Sequence, residues 1–261
     1  MIIALLETNI YWEDKEKNIK KVKDDIERIM YSYDVDLICL PEMSFTGFSM
    51  SVEKTMDVNN ETIERMKEFA CNYNTGIAFG WVESKGSIFL NHYSLVDKSR
   101  VLLDYVKIHP FSYGGEADVF AGGDELGAVR MSGFTVAFQI CYDLRFPELF
   151  QILSKQADLI IVPANWPSKR EDHWDVLLHA RAIESQVYIA GVNCKGCINE
   201  MEYPGNSCLI APDGKDVESI DVATINGDIA RIYYLSNDVK KYRESFPVKK
   251  DRREDLYKRL Y

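Results

Sequence analysis

Three residues with the chemistry of an acyl-transfer site each follow an apolar, β-prone run of the chain. Glu42, Lys107 and Cys141 follow the runs 35–40, 101–106 and 134–140. A cysteine at the turn after a strand can present its sulfur, with the next backbone N–H groups free to face a ligand. Because sites in open α/β sheets gather beyond the carboxyl ends of strands, we expect the three side chains to meet.

A thiol, a carboxylate and an ammonium group together supply what acyl transfer to cysteine requires. A free cysteine is mostly protonated at neutral pH, so it needs a base or a nearby cation. Glu42 can take the proton, and Lys107 can favour the thiolate and later face an oxyanion. Taken singly, each residue also suits an ordinary role, as a buried apolar thiol or a solvated charge. His109 follows Lys107 closely, but the four histidines do not suggest a cysteine–histidine pair.

These residues belong to an alternation of strands and helices along the chain. The hydrophobic periodicity predicts helices over 13–33, 61–73 and 171–186. It predicts strands over 2–6, 35–40, 76–83, 87–96, 101–108, 134–140, 158–162, 187–192, 207–210 and 229–235. A glycine-rich loop covers residues 109–127, and long loops inside a domain are more often functional than idle. The pattern indicates an α/β layered fold with a mixed sheet.

Length, charge and cysteine content narrow the class of protein. The 261 residues are 46% hydrophobic and show no dividing linker, so we expect one large domain with a sizeable core. A net charge of -10 argues against nucleic acid and anionic membranes as partners. The start, MIIALLETNIYW, lacks a basic region and reads as a strand, and no run is long enough to span a membrane. Six cysteines in so large a chain favour a reducing cytoplasm. The C-x-x-C at 194–197 has no second pair and no matching histidines, which argues against zinc.

Three segments in order resemble the nitrilase superfamily of carbon–nitrogen hydrolases. They are PEMSFTGF (41–48), YVKIHPF (105–111) and ICYDLRFPELF (140–150). The order Glu42, Lys107, Cys141 is the catalytic order of that superfamily, and Glu116 fits the place of its second glutamate. Within the superfamily, CYDLRFPE, PANWP and YRESFP are most similar to the bacterial omega-amidases, which hydrolyse the terminal amide of 2-oxoglutaramate and 2-oxosuccinamate.

The resemblance implies a fold, an assembly and a set of roles. The fold is a four-layer α-β-β-α sandwich over residues 1–261, with residues 240–261 as a C-terminal tail that packs on a partner subunit of a homodimer. No metal or organic cofactor is implied. Glu42 would be the base and Cys141 the nucleophile, while Lys107 and the Tyr142 N–H would hold the oxyanion. Glu116 would orient the substrate amide or Lys107, and would assist proton transfer.

The residues that bind the substrate are less closely specified by the sequence. We expect Tyr142, Arg145 and Trp166 to line the substrate site. Arg145 can hold a substrate carboxylate through its guanidinium fork, or it can brace its own loop by pairing with Asp143 or Glu148. The alternative functions are an N-carbamoyl amino acid hydrolase, another small-amide hydrolase, and a catalytically silent binding protein. The intact set of glutamates, lysine and cysteine argues against the silent protein.

Overall fold

The computed structural model describes residues 1–260, which form two large β-sheets, one two-stranded sheet and seven α-helices. The strands are β1 (Ile2–Glu7), β2 (Leu37–Cys39), β3 (Gly76–Lys85), β4 (Ile88–Asp97), β5 (Arg100–Val106), β6 (Ala128–Met131), β7 (Phe134–Phe138), β8 (Leu159–Ala164), β9 (Tyr188–Asn193), β10 (Lys195–Ile198), β11 (Met201–Pro204), β12 (Cys208–Ile210), β13 (Asp221–Ile225) and β14 (Asp228–Tyr234). The helices are α1 (Lys15–Ser32), α2 (Val52–Thr55), α3 (Glu61–Tyr73), α4 (Pro147–Leu153), α5 (Glu171–Ser185), α6 (Val239–Ser245) and α7 (Glu254–Leu260).

Both large sheets combine parallel and antiparallel pairs. The first has the strand order β13-β14-β1-β2-β3-β4-β5, with β1, β2 and β3 mutually parallel. The second has the order β12-β9-β8-β7-β6, with β7, β8 and β9 parallel. Strands β10 and β11 form a separate hairpin. The predicted mixed α/β arrangement is therefore confirmed.

Alternation along the strands divides the core into layers. In β1, Ile3 and Leu5 pack into the core between the two sheets, while Ala4 and Leu6 pack against the helices on the outer face. The first sheet is covered by α1 and α3, and the second by α4 and α5. The layers run helix, sheet, sheet, helix, which confirms the predicted four-layer sandwich.

Helix α5 uses its apolar side within its own subunit. Trp174, Leu178 and Ala182 are buried against the second sheet. On the sequence alone, this apolar side could either contact a partner subunit or cover the sheet of its own subunit, and the fold uses it to cover the sheet. Two other apolar residues of α5 face outward, since Val176 is 63% exposed and Ile183 is 56% exposed.

The C-terminal tail forms two helices and contacts its own chain. Arg243 in α6 donates to the carbonyls of Gln186 and Ala157, and Lys249 donates to the carbonyl of Ser154. Burial, together with the nearby positive charges of Arg243 and Arg252, lowers the pKa of Lys249 to about 7. Packing of the tail on a partner subunit, and the single domain over residues 1–261, stay predictions. Tyr261 lies outside the described residues.

Most predicted elements are present with small changes in their bounds. The helix predicted over 61–73 is α3, and the strand predicted over 35–40 is shortened to β2. The hairpin of β10 and β11 was not predicted, because its four-residue strands are half-exposed and carry no apolar run. This hairpin forms one side of the candidate site.

Candidate active site

Strands from both sheets bring Glu42, Lys107 and Cys141 to one place between the sheets. Glu42 follows β2, Lys107 follows β5, and Cys141 follows β7 of the second sheet. The Lys107 Nζ atom lies 2.7 Å from Glu42 Oε1 and 2.8 Å from Glu116 Oε2. Glu42, Lys107 and Glu116 are each at most 1% exposed. Two carboxylates and one ammonium group give this cluster a formal charge of −1, which leaves one carboxylate able to accept a proton.

An asparagine completes a closed ring with these three charged side chains. Asn91, in β4, donates from Nδ2 to Glu42 Oε1 and to Glu116 Oε1, both at 2.9 Å. Its own backbone carbonyl accepts from the Lys107 N–H at 2.9 Å. Both carboxylates therefore share one charged donor, Lys107, and one neutral donor, Asn91. Such buried carboxylates are costly unless every lone pair that faces the protein is satisfied.

The turn that carries Glu42 is fixed from both sides. The backbone N–H of Asn165 donates to Glu42 Oε2 at 3.1 Å, and its side chain donates to the Glu42 carbonyl at 2.7 Å. On the other side, Gly80 of β3 lies so close that a Cβ there would be 2.3 Å from the Met43 nitrogen. Only glycine allows this approach. The carboxylate is thus held by packing and by hydrogen bonds.

Cys141 occupies a strained turn, as its position after a strand predicts. Its φ of 45° lies in the left-handed region, which costs a non-glycine residue on the order of 1–3 kcal/mol. The turn opens a short 3-10 helix, Cys141–Arg145, and N–H groups of a first turn have no intrahelical partner. The N–H of Tyr142 belongs to this turn, so it is available to an oxygen bound beside the sulfur.

Asp143 holds the strained turn in place. Its Oδ2 atom accepts from the Ile140 N–H at 3.0 Å and from the Tyr105 hydroxyl at 2.9 Å. Its Oδ1 atom accepts from the His109 N–H at 2.9 Å, and His109 Nδ1 lies at the same distance. The His109 ring also stacks on Phe146, with centroids 3.7 Å apart. His109 therefore braces the loop and does not face the thiol cluster.

The charges around the cluster decide its resting protonation. Burial raises the pKa of the Cys141 thiol well above its usual range, the negative charge of Glu42 raises it further, and Lys107 only partly opposes them. Burial alone would lower the pKa of Lys107, but Glu116 and Glu42 outweigh that effect and raise it. These shifts favour a neutral thiol beside a protonated lysine. Lys107 does lower the pKa of the thiol, as predicted, but burial raises it by more.

A cavity of about 310 Å³ opens onto Cys141. This volume is at the small end of the range for ligand pockets, about 300–1,000 Å³. All three residues predicted to bind substrate, Tyr142, Arg145 and Trp166, line it together with Cys141. Glu42, Lys107 and Glu116 do not line it, and lie behind the sulfur. A ligand therefore meets the thiol first.

Arg145 does not brace its loop through a carboxylate. Its guanidinium lies 4.9 Å from the centre of the Trp166 ring, and Nη2 lies 3.3 Å from His173 Nδ1. Asp143 is occupied by the contacts described above, and within residues 1–260 Arg145 forms no ion pair with it or with Glu148. The guanidinium on the cavity wall is free for an anionic ligand.

The sequence of this chain is similar to those of known enzymes. Residues 2–228 match the carbon-nitrogen hydrolase family. The chain belongs to the carbon–nitrogen hydrolase family. It is 32% identical over 260 residues to the 2-oxoglutaramate amidase of Bacillus subtilis, covering 98% of each chain. It is 32% identical over 250 residues to omega-amidase YafV of Escherichia coli K12, covering 95% of each.

A solved structure supports the same assignment. A CN-hydrolase superfamily protein from Xanthomonas campestris, with an arsenic adduct in its active site, has a TM-score of 0.86 and 26% identity, over 97% of each chain. The predicted nitrilase-superfamily resemblance is therefore confirmed. The chain is a carbon–nitrogen hydrolase that acts on amides.

Several residues of this carbon–nitrogen hydrolase's cavity and cluster were not predicted from the sequence. Asn91 and Asn165 hold the glutamates, and Arg170 and Tyr203 line the cavity. A signal for Asn91 was present, since a polar residue interrupts the apolar strand 88–97. Asn165 lies within the PANWP motif, where we singled out only Trp166. Nothing in the sequence near Tyr203 indicates that its hairpin reaches the site.

The C-x-x-C of this hydrolase is not a paired site. Cys194 is fully buried near the Cys141 cluster, whereas Cys197 is exposed on β10. Within residues 1–260, no three His, Cys, Asp or Glu side chains are arranged to hold a metal ion. In the same part of the chain, no helix has the length and apolar character to cross a membrane.

Proposed function

We propose that this enzyme hydrolyses the terminal amide of a small omega-amide of a dicarboxylic acid, of the 2-oxoglutaramate or 2-oxosuccinamate class. The products are the acid and ammonia, and the intermediate is a thioester on Cys141. One observation carries the proposal: a small cavity with an unpaired arginine on its wall ends at a thiol, and a glutamate–lysine–glutamate cluster lies behind that thiol. Relatives named 2-oxoglutaramate amidase and omega-amidase support the substrate class.

In the first half of the reaction, the thiol becomes a nucleophile as it attacks. Glu42 accepts the thiol proton while the sulfur of Cys141 bonds to the amide carbon, and the carbonyl becomes an oxyanion. Lys107 Nζ and the Tyr142 N–H stabilise this charge. The amide nitrogen takes the proton back from Glu42, the carbon–nitrogen bond breaks, and ammonia leaves a thioester.

In the second half, Glu42 acts once more as a base. It takes a proton from water, whose oxygen attacks the thioester carbon. The carbon–sulfur bond breaks, the acid is released, and the sulfur regains its proton from Glu42. The raised pKa of the Cys141 thiol supports a cycle that begins and ends with a neutral thiol.

Glu116 has a supporting role in this scheme. Its Oε2 atom accepts from Lys107 and from the Phe111 N–H at 2.6 Å, and its Oε1 atom accepts from Asn91. Three donors thus hold this fully buried carboxylate, and two of them, Lys107 and the Phe111 N–H, share one oxygen. Glu116 orients Lys107 toward the oxyanion and leaves Glu42 to move protons.

An anionic substrate suits the cavity. The omega-amide of a dicarboxylic acid keeps one carboxylate, and Arg145 can hold it with two parallel hydrogen bonds. The Trp166 ring lies against the Arg145 guanidinium, and Tyr142 forms the cavity wall next to Cys141. N-carbamoyl amino acids also keep a carboxylate, so they are the competing substrate class.

Cellular context follows from the same chemistry. A nucleophilic thiol and six unpaired cysteines suit a reducing cytoplasm, where we place the enzyme.

We also propose a homodimer, in which Val176, Ile183 and neighbouring surface of α5 meet a second copy of the chain. The exposure of these two aliphatic side chains supports it.

Ammonia release from a substrate panel tests the function. The panel holds 2-oxosuccinamate, succinamate, a neutral short amide and an N-carbamoyl amino acid. We expect the wild type to prefer the omega-amides, and Cys141→Ala to fold but to be inactive. Cys197→Ala is the matched control, since it removes an exposed thiol and should keep activity. Preference for the carbamoyl compound, or full activity of Cys141→Ala, would overturn the proposal.

Mass spectrometry tests the covalent step separately. Acid quenching during turnover should trap an acyl adduct on the Cys141 peptide. The adduct should be absent from Cys141→Ala and present in Cys197→Ala. An adduct found on Cys194 or Cys197 alone would contradict the assigned nucleophile.

The anion site has its own test. Arg145→Lys keeps the charge but loses the planar fork, so KM for succinamate should rise far more than KM for a neutral short amide. Equal losses on both amides would show that Arg145 supports the loop and does not bind the substrate.

A further inference from the structure

A second guanidinium, that of Arg170, lines the same cavity as Arg145. Its Cζ atom lies 5.5 Å from the centre of the Phe111 ring, and within residues 1–260 it forms no ion pair with a carboxylate. It is half-buried, whereas the adjacent Lys169 is exposed. The cavity wall thus has two cations, while a simple omega-amide supplies only one carboxylate. The second cation has no ligand assigned by the proposed function.

Trp166 connects the two arginines. Its ring carries the Arg145 guanidinium, and its Nε1–H donates to the Arg170 carbonyl at 2.7 Å. The Trp166 backbone is itself fixed, because its N–H donates to Asn193 Oδ1 at 2.7 Å and its carbonyl accepts from Asn193 Nδ2 at 3.0 Å. Asn193 is fully buried. The Arg145 guanidinium and the Arg170 backbone therefore both contact one rigid residue.

The other side of Arg170 meets the loop that carries Glu116. Phe111, on which the guanidinium stacks, donates its N–H to Glu116 at 2.6 Å. Tyr203, from the β10–β11 hairpin, lies close enough to Arg170 and Glu42 to interact electrostatically with both charges. Arg170 thus lies on the cavity wall beside Phe111 and Tyr203.

We propose that Arg170 selects the group at carbon 2 of the substrate, next to its carboxylate. A 2-oxo group adds a third oxygen acceptor adjacent to the carboxylate, so an α-oxo acid offers acceptors to two separate guanidinium groups. A 2-ammonium group, as in a free amino acid, puts a positive charge at the same place and is repelled. Arg145 binds the carboxylate, and Arg170 binds the oxygen at carbon 2.

This inference rests on the proposed function and deepens it. It makes Arg170 a specificity-determining residue that distinguishes omega-amides of 2-oxo acids from asparagine- or glutamine-like amides. A hydrophobic wall could not separate these substrates, because they have nearly the same shape. Hydrogen bonding and charge at one position can do so.

Three substrates that differ only at carbon 2 test the inference: 2-oxosuccinamate, succinamate and L-asparagine. The variant is Arg170→Gln, which keeps most of the length of the side chain and removes its charge. The matched control is Lys169→Gln, which removes the neighbouring exposed charge. Thermal unfolding of each variant reports whether it is folded, and a second variant, Arg170→Lys, keeps the charge.

We expect Arg170→Gln to lose roughly 10- to 100-fold in kcat/KM on 2-oxosuccinamate, the range for losing a charge-assisted hydrogen bond. Its kcat/KM on succinamate should change much less, and its discrimination against L-asparagine should weaken. Arg170→Lys should keep that discrimination, and Lys169→Gln should resemble the wild type on all three substrates.

Equal losses on 2-oxosuccinamate and succinamate, or unchanged rejection of L-asparagine, would overturn the role of Arg170. Such a result would leave the proposed function standing, since the wild type would still hydrolyse omega-amides. If the wild type hydrolyses no omega-amide, the proposed function itself fails, so the two failures are distinguishable.

Discussion

Replacing Asn91 with alanine removes the neutral donor that both buried glutamates share. Hydrogen bonds to charged groups contribute about 1.5–3 kcal/mol each, and Asn91 makes two of them, both at 2.9 Å. Lys107 and the Asn165 N–H still hold Glu42, so we expect the protein to fold. Misplacement of a catalytic group by about 1 Å can cost on the order of 10²-fold in rate. We therefore expect kcat of Asn91→Ala to fall about 10²-fold, with KM little changed.

The assay must separate positioning of Glu42 from a general loss of stability. Losing a donor to an ionised carboxylate favours its protonated form, so the acid limb of the kcat/KM profile should move to higher pH. Thr75→Val is the control, because Thr75 is buried and its hydroxyl donates to the Val35 carbonyl. Val35 precedes β2 and Thr75 precedes β3, so the contact joins the starts of the two strands. This variant should lose stability but keep kcat and the pH profile.

One result would refute the reasoning about Asn91. If Asn91→Ala unfolds at a lower temperature but has the wild-type kcat and pH profile, its hydrogen bonds support only the fold. The closed ring would then be a structural feature, and Lys107 with Asn165 would be sufficient to position Glu42.

Three further predictions concern the oxyanion, the pH dependence of stability and the assembly. Lys107→Met should lower kcat by about 10²–10³-fold with little change in KM, and a raised KM at normal kcat would make the lysine a binding residue. Burial, together with the charge of Asp228, raises the pKa of Asp25 to about 8. The folded state thus keeps a proton that the unfolded chain loses near pH 4, so stability falls as pH rises from about 4 to about 8. Asp25→Asn, which keeps the Oδ1 acceptor for Asn226, should reduce this fall, and thermal unfolding across that pH range checks it. Light scattering at micromolar concentration should give a dimer that Ile183→Glu weakens, and a monomeric wild type would reject the assembly.

The amino-acid sequence by itself determined the fold class and predicted that Glu42, Lys107 and Cys141 meet. Apolar runs that end at Glu42, Lys107 and Cys141 predict that these residues meet, because a strand delivers its last side chain to an edge of the sheet. The alternation of strands and helices predicts a layered α/β fold with a mixed sheet, and the family resemblance adds the four layers. These are local patterns, so they can be read without knowing which strands pair.

Only the tertiary structure decided what surrounds those residues. Asn91 is 49 positions from Glu42, and Asn165 is 123 positions from it, so no local pattern connects them. Arg170 precedes a surface helix and would ordinarily be solvated, yet the fold places it on the cavity wall. Trp174, Leu178 and Ala182 could have met a partner, and they cover their own sheet instead. The physical reason is that hydrogen-bond partners and burial are set by which strands and loops pack together, and that choice depends on the whole core.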